Sequence, residues 1–161
     1  MKHLLDILWT GLGATAAMDL WALLRRRLLG TPLPNYGLVG RWIGHMRRGH
    51  FVHERIAAAP AVSGERTIGW VAHVIIGVAF AALVPAIFGN AWLGEPSLVP
   101  ALLVGIGTVA APLLVMQPAM GAGIAARRLP NPRAARLQSL VTHTVFGLGL
   151  YLAARVSSSL S

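Results

Sequence analysis

The sequence predicts an all-α integral membrane fold, a four-helix bundle made of two similar transmembrane hairpins. Three observations predict it. Hydrophobic residues make up 55% of the 161-residue chain and charged residues only 12%, against roughly 25% charged in soluble domains. Four apolar runs approach or exceed about 20 residues, the length that crosses a ~30 Å hydrocarbon core. Arginines gather between those runs rather than along them. A chain of this length fits one transmembrane domain, residues 1–161.

The expected spans are residues 4–24, 68–88, 98–126 and 137–154, with a long loop over 25–67. Asp6 and Asp19 interrupt the first run, which also exceeds the 7–15 residues of a signal-peptide core. It is therefore expected to be a retained span. The third run holds Pro112 and Pro118, which remove backbone donors, and Gly121 and Gly123 follow. An ordinary proline kink is the favoured expectation there. The rival is a broken segment at Gln117-Pro118 whose freed carbonyls line a cavity.

Charge orients the bundle. The net charge is +9, which in a soluble protein would favour a nucleic-acid partner. Here Arg25, Arg26, Arg27, Arg41, Arg47, Arg48, Arg55 and Arg66 fall in the first loop, and Arg127, Arg128, Arg133 and Arg136 in the third. The loop over 89–97 carries only Glu95. The positive-inside rule then places both basic loops in the cytoplasm and both termini outside, in a bacterial inner membrane. The expected partners are the bilayer and its anionic headgroups, not nucleic acid. Cysteine is absent, so disulfides and thiolate metal sites are excluded.

Within the first loop, Asn35 is placed to cap a helix over about 36–48. Leu38, Val39, Trp42, Ile43 and Met46 recur on one face, and Arg41, His45 and Arg48 on the other. That pattern predicts an amphipathic helix in the membrane interface, with Arg41, Trp42, Arg47 and Arg48 at the headgroups. Packing on the cytoplasmic end of the bundle accounts for it equally well.

The two hairpins resemble each other. Gly11-Leu-Gly-Ala-Thr-Ala-Ala17 matches Gly105-Ile-Gly-Thr-Val-Ala-Ala111, and Leu33-Pro-Asn35 matches Leu129-Pro-Asn131. Arg66, Gly69, Val71, His73 and Gly77 pair without a gap with Arg136, Ser139, Val141, His143 and Gly147. In the second turn Asn131 is the expected cap and Pro132 the first helical residue.

Ionisable groups inside spans are costly and suggest function. His73 and His143 each lie seven residues past an arginine, and Asp19 six before one. At 1.5 Å per residue all three sit roughly 10 Å in. With Gln117 they form the candidate ligand or proton site. Three readings stay open: structural hydrogen bonding, a proton or cation site of a small transporter, and bis-histidine ligation of haem b. In the haem reading Gly77 and Gly147 make room for the macrocycle. A weaker pattern, His50, His53 and Glu54, is the candidate metal set. No catalytic residue is assigned: nucleotide loops, HExxH and GxSxG are missing, and an enzyme is not the leading expectation. Four short spans are few to enclose a pathway, so a homo-oligomer is a further expectation carried by no particular residue.

Four segments carry a family resemblance: Gly11-Leu-Gly-Ala-Thr-Ala-Ala-Met-Asp-Leu-Trp21, Asn35-Tyr-Gly-Leu-Val-Gly-Arg-Trp42, Gly64-Glu-Arg66 and Met116-Gln-Pro-Ala-Met-Gly-Ala-Gly123. They resemble a bacterial multi-pass membrane family catalogued as a domain of unknown function (number 2938). The resemblance implies a membrane protein and supplies no activity, substrate or catalytic residue. The leading expectation is binding or transport of a small solute or ion at the polar layer. A haem-binding redox subunit and a non-catalytic scaffold are the alternatives.

Overall fold

In the computed structural model, which describes residues 2–160, the four apolar runs are helical over most of their length. Helix α1 covers Lys2–Leu29, α2 Tyr36–Met46, α3 Glu65–Phe88, α4 Ala91–Gly94 and α5 Leu98–Gly107. A π turn over Ala111–Met116 runs into the short α6, Gln117–Ala119, and α7 covers Pro132–Ser159. Four helical stretches are long and apolar enough to cross a membrane: Lys2–Leu29, Glu65–Phe88, Leu98–Ala119 and Pro132–Ser159. Large apolar side chains stay on their outside, Leu20, Ile75, Leu103 and Leu152 among them. That placement costs free energy in water and none in hydrocarbon.

Three spans are longer than their apolar runs because local signals extend them. Arg26 and Arg27 complement the C-terminal dipole of α1, which stops at Gly30, with φ +64° and its N–H on the Arg26 carbonyl. Glu65 complements the first turn of α3 in the same way. At α7 the Asn131 side chain accepts the Ala134 N–H at 3.1 Å, and Pro132 takes the first helical position. The expected cap at α2 differs. Asn35 occupies the N-cap position but makes no side-chain cap bond, and its backbone carbonyl accepts the Leu38 N–H instead.

The third span is neither a plain kink nor 29 residues long. Pro112 lies in the π turn, where the Gln117 N–H reaches back five residues to the Pro112 carbonyl, and Pro118 follows in the first turn of α6. A register slip of this kind accommodates missing donors without ending the helix. The span then stops at Ala119 rather than Ala126. Gly121 and Gly123 take positive φ (99° and 74°), and Ala125 and Ala126 follow in the left-handed region, so the helix cannot continue.

The chain forms two compact units. Residues 2–33, 74–108 and 141–160 form the first, with a core of Ala14, Ala81, Val84, Trp92, Leu93, Ala101, Val104, Phe146, Leu150 and Ala154. Its helices approach closely through small residues. The side of Gly11 lies on the Val78 backbone, the Thr15 hydroxyl fills the side of Gly77, Gly105 lies on Gly147, and Gly149 lies on Ala14. Such contacts supply van der Waals packing where lipid offers helices no hydrophobic drive to associate.

The second unit comprises residues 34–73 and 109–140. In it α2 lies against the start of α3, with Gly40 on the Glu65 carbonyl and Gly69 on the Tyr36 carbonyl. The loop after α2 closes onto the end of the third span. His53 N–H donates to the Ala119 carbonyl at 2.8 Å, and Ile56 N–H to Met120 at 3.1 Å. These bonds satisfy carbonyls that a terminating helix leaves open.

Candidate functional site

In the first unit, His143 projects from α7 with only 7% of its surface exposed. It reaches α5. The Thr108 hydroxyl donates to the Gly105 carbonyl one turn back, at 2.7 Å. Its hydrogen is thereby used, so its oxygen faces His143 Nδ1 at 3.1 Å as an acceptor. The Gly105 carbonyl stands 3.3 Å from the same nitrogen as a second acceptor. Nδ1 therefore carries a hydrogen, and in the neutral ring the lone pair resides on Nε2. Phe146, one turn on, is tilted against the imidazole at 6.5 Å between centroids. Asp19, on α1, belongs to this unit and is half-buried.

The glycines expected to admit a haem are used otherwise. Thr15 occupies the side of Gly77, and the Ala101 carbonyl and Leu102 Cα lie about 3 Å from where a Cβ on Gly147 would stand. Both faces are closed by neighbouring helices. His73, the second expected axial ligand, has its ring stacked on Tyr36 at 4.1 Å and 21°. These residues do not fit a macrocycle.

In the second unit, His73 belongs to an aromatic group with Tyr36 and Trp70, whose rings meet edge to face at 4.6 Å. Gln117 is half-buried, and its Oε1 has no hydrogen-bond partner among the described residues. The four candidate layer residues thus divide, Asp19 and His143 in one unit, His73 and Gln117 in the other.

The loop histidines also gather in the second unit, in a different set from the expected one. His45 lies 5.0 Å from His53 and 6.5 Å from His50 between ring centroids. His45 Nε2 is 2.9 Å from the Pro60 carbonyl, while both ring nitrogens of His53 are buried without a hydrogen-bond partner among the described residues. Burial, with His45 and His50 nearby, holds the His53 imidazole below its ordinary pKa, against a smaller opposite effect of the Ala119 backbone contact. Glu54 is exposed. Among the described residues no three His, Cys, Asp or Glu side chains are placed to hold one metal ion.

Arg41 and Trp42, expected at the headgroups, make bonds within the protein. Arg41 forms a two-pronged pair with Glu65, Nε to Oε2 and Nη2 to Oε1, both 2.8 Å. Its third nitrogen donates to the Ala57 and Ala59 carbonyls. Glu65 also accepts the Val62 N–H at 3.0 Å. Trp42 Nε1–H donates to the Phe51 carbonyl at 2.8 Å. Arg47 and Arg48 are exposed.

Sequence reasoning missed three residues. Thr108 sits inside the segment that matches the first hairpin, and that match was its only signal. Tyr36 adjoins the cap position and gave none. Arg25 reads as one of three interfacial arginines, yet it is 6% exposed and its Nε has no partner among the described residues.

Neither the curated proteins nor the solved structures compared with the chain contain a match. A family model described as "protein of unknown function" matches residues 8–157, nearly the whole length. With the four apolar helices and the polar groups they carry, that match identifies the chain as a member of the family of proteins of unknown function DUF2938.

Proposed function

We propose that this chain is a multi-pass inner-membrane protein that binds or conducts a proton or small cation through its intramembrane polar residues, with His143 as the titrating group. One observation carries the reading. His143 is buried within an apolar span with Nδ1–H held by Thr108 and Gly105. Its proton-accepting nitrogen is thereby fixed in direction. A histidine held in one tautomer, with its second ring nitrogen open to a proton, suits a proton relay.

The contacts between small residues support reading the bundle as two copies of one hairpin. The equivalent glycines Gly11 and Gly105 both sit at a close helix crossing, Gly11 on Val78 of α3 and Gly105 on Gly147 of α7. A duplicated hairpin with parallel orientation carries a pseudo-two-fold axis along the membrane normal, and transporter sites often lie at such repeat interfaces. The arginine asymmetry puts both termini outside. A reporter at Ser161 that reads cytoplasmic would overturn that orientation.

The test of the function is proton flux in proteoliposomes carrying a pH-sensitive dye. His143→Ala is expected to abolish flux while the chain keeps its helical circular dichroism. Flux in the wild type that survives both His143→Ala and Asp19→Asn would overturn the reading. The competing reading is a structural histidine that fixes helix register, favoured by the same satisfied Nδ1. It predicts no wild-type flux and a lower unfolding midpoint for His143→Ala.

A further inference from the structure

The turn between α2 and the loop holds two large apolar side chains out of the protein while pinning their backbone. Phe51 and Val52 are 58% and 73% exposed. Yet His50 N–H donates to His45 O, the Phe51 carbonyl accepts Trp42 Nε1–H, and His53 N–H donates to Ala119 O. A dipeptide held at Phe51 itself and at the residues on either side does not turn its side chains away from its surroundings by loop motion. The anchor also sets depth. Ala119 is the last residue of the third candidate span, and Phe51 and Val52 immediately precede the His53 bonded to it. Arg47 and Arg48 are exposed just ahead of them; behind them Glu54 and Arg55 offset each other in charge.

From this placement we infer that Phe51 and Val52 form a wedge that enters the leaflet edge beside the end of the third span, with Arg47 and Arg48 binding the phosphates of anionic lipids. Apolar side chains beside cations match the acyl–headgroup boundary, where basic residues are drawn to an anionic surface. The contact lies in the turn after α2, not along the helix, because Arg41 and Trp42 are committed to Glu65 and Phe51. The inference rests on the chain spanning a membrane and is independent of proton binding at His143.

The chain has no cysteine, so Phe51→Cys, Val52→Cys and Ser63→Cys each offer one labelling site. Spin-labelled full-length variants are placed in nanodiscs of phosphatidylglycerol or of phosphatidylcholine. Labels at 51 and 52 are expected to collide readily with oxygen and poorly with a water-soluble nickel complex. The label at the exposed Ser63 is expected to do the reverse. In phosphatidylglycerol, Arg47→Gln with Arg48→Gln is expected to shift the label at 52 several-fold toward nickel; in phosphatidylcholine the shift is expected to vanish. Nickel access at 51 and 52 equal to that at 63 would overturn the wedge. So would poor access to both reagents, the signature of cover by protein, including a second copy. A shift of equal size in both lipids would overturn the role of the arginines.

Discussion

Thr108 Oγ1 stands 3.1 Å from Nδ1 of His143, and because the hydroxyl spends its own hydrogen on the Gly105 carbonyl it sets the tautomer of the imidazole. Thr108→Val removes the nearer acceptor and leaves the more distant carbonyl. Interhelical bonds of this kind in membranes average about 0.6 kcal/mol, reaching roughly 1.7. Thr108→Val is expected to lose that much in mixed-micelle unfolding, and Thr108→Ser to stay close to the wild type. Equal losses in both variants would assign the effect to packing instead.

The α5–α7 contact gives a matched pair of glycine tests. A Cβ at position 105 would fall onto the Gly147 backbone, whereas one at position 107 would meet nothing within 4 Å. Overpacking against backbone costs about 1–3 kcal/mol, while a helical glycine replaced by alanine in open space gains up to about 1 kcal/mol. Gly105→Ala should therefore lower the thermal midpoint of the detergent-solubilised protein and Gly107→Ala should leave it unchanged or raise it.

Arg41 ties α2, the loop and α3 together through four acceptors. A lysine keeps the charge but cannot reproduce the planar fork. Arg41→Lys is expected to speed trypsin cleavage at Arg55 nearly as much as Arg41→Gln does. Full protection in the lysine variant would show that charge alone holds the loop.

His53 makes the loop sensitive to acid. Its folded pKa lies below the ordinary 6.5, chiefly through burial. The unfolded loop therefore takes up the proton first, and as pH falls through about 6.5 the unfolded form is favoured. Above that value both forms are neutral and stability is unchanged. Amide exchange at Ile56, bonded to Met120, is expected to accelerate below pH 6.5 relative to the chemical rate. His53→Leu should remove that dependence. Persistence of the effect in His53→Leu would move it to His45 or His50, the charges that face it.

What the sequence by itself determined was the solvent of the helices and the identity of the polar groups in them. Apolar runs of membrane-spanning length, arginines between them and the Asn131-Pro132 start of α7 are local properties, so they are legible from residue type and spacing. His143 and its small-residue ridge were legible for the same reason, since a 3.6-residue period fixes which side chains share a face. The tertiary structure decided everything that depends on what meets that face. Gly77 and Gly147 suit either a macrocycle or a neighbouring helix, and only the positions of Thr15 and Ala101 chose the helix. Arg41 suits either a headgroup or a carboxylate, and Glu65, 24 residues on, chose the carboxylate. Pro112 suits a kink, yet it stands in a π turn, and the loop carrying His53 and Ile56 met the carbonyls at the end of the span. Spacing along one helix specifies a surface, but the partner of that surface lies on a distant stretch of chain, and no local period encodes which one it will be.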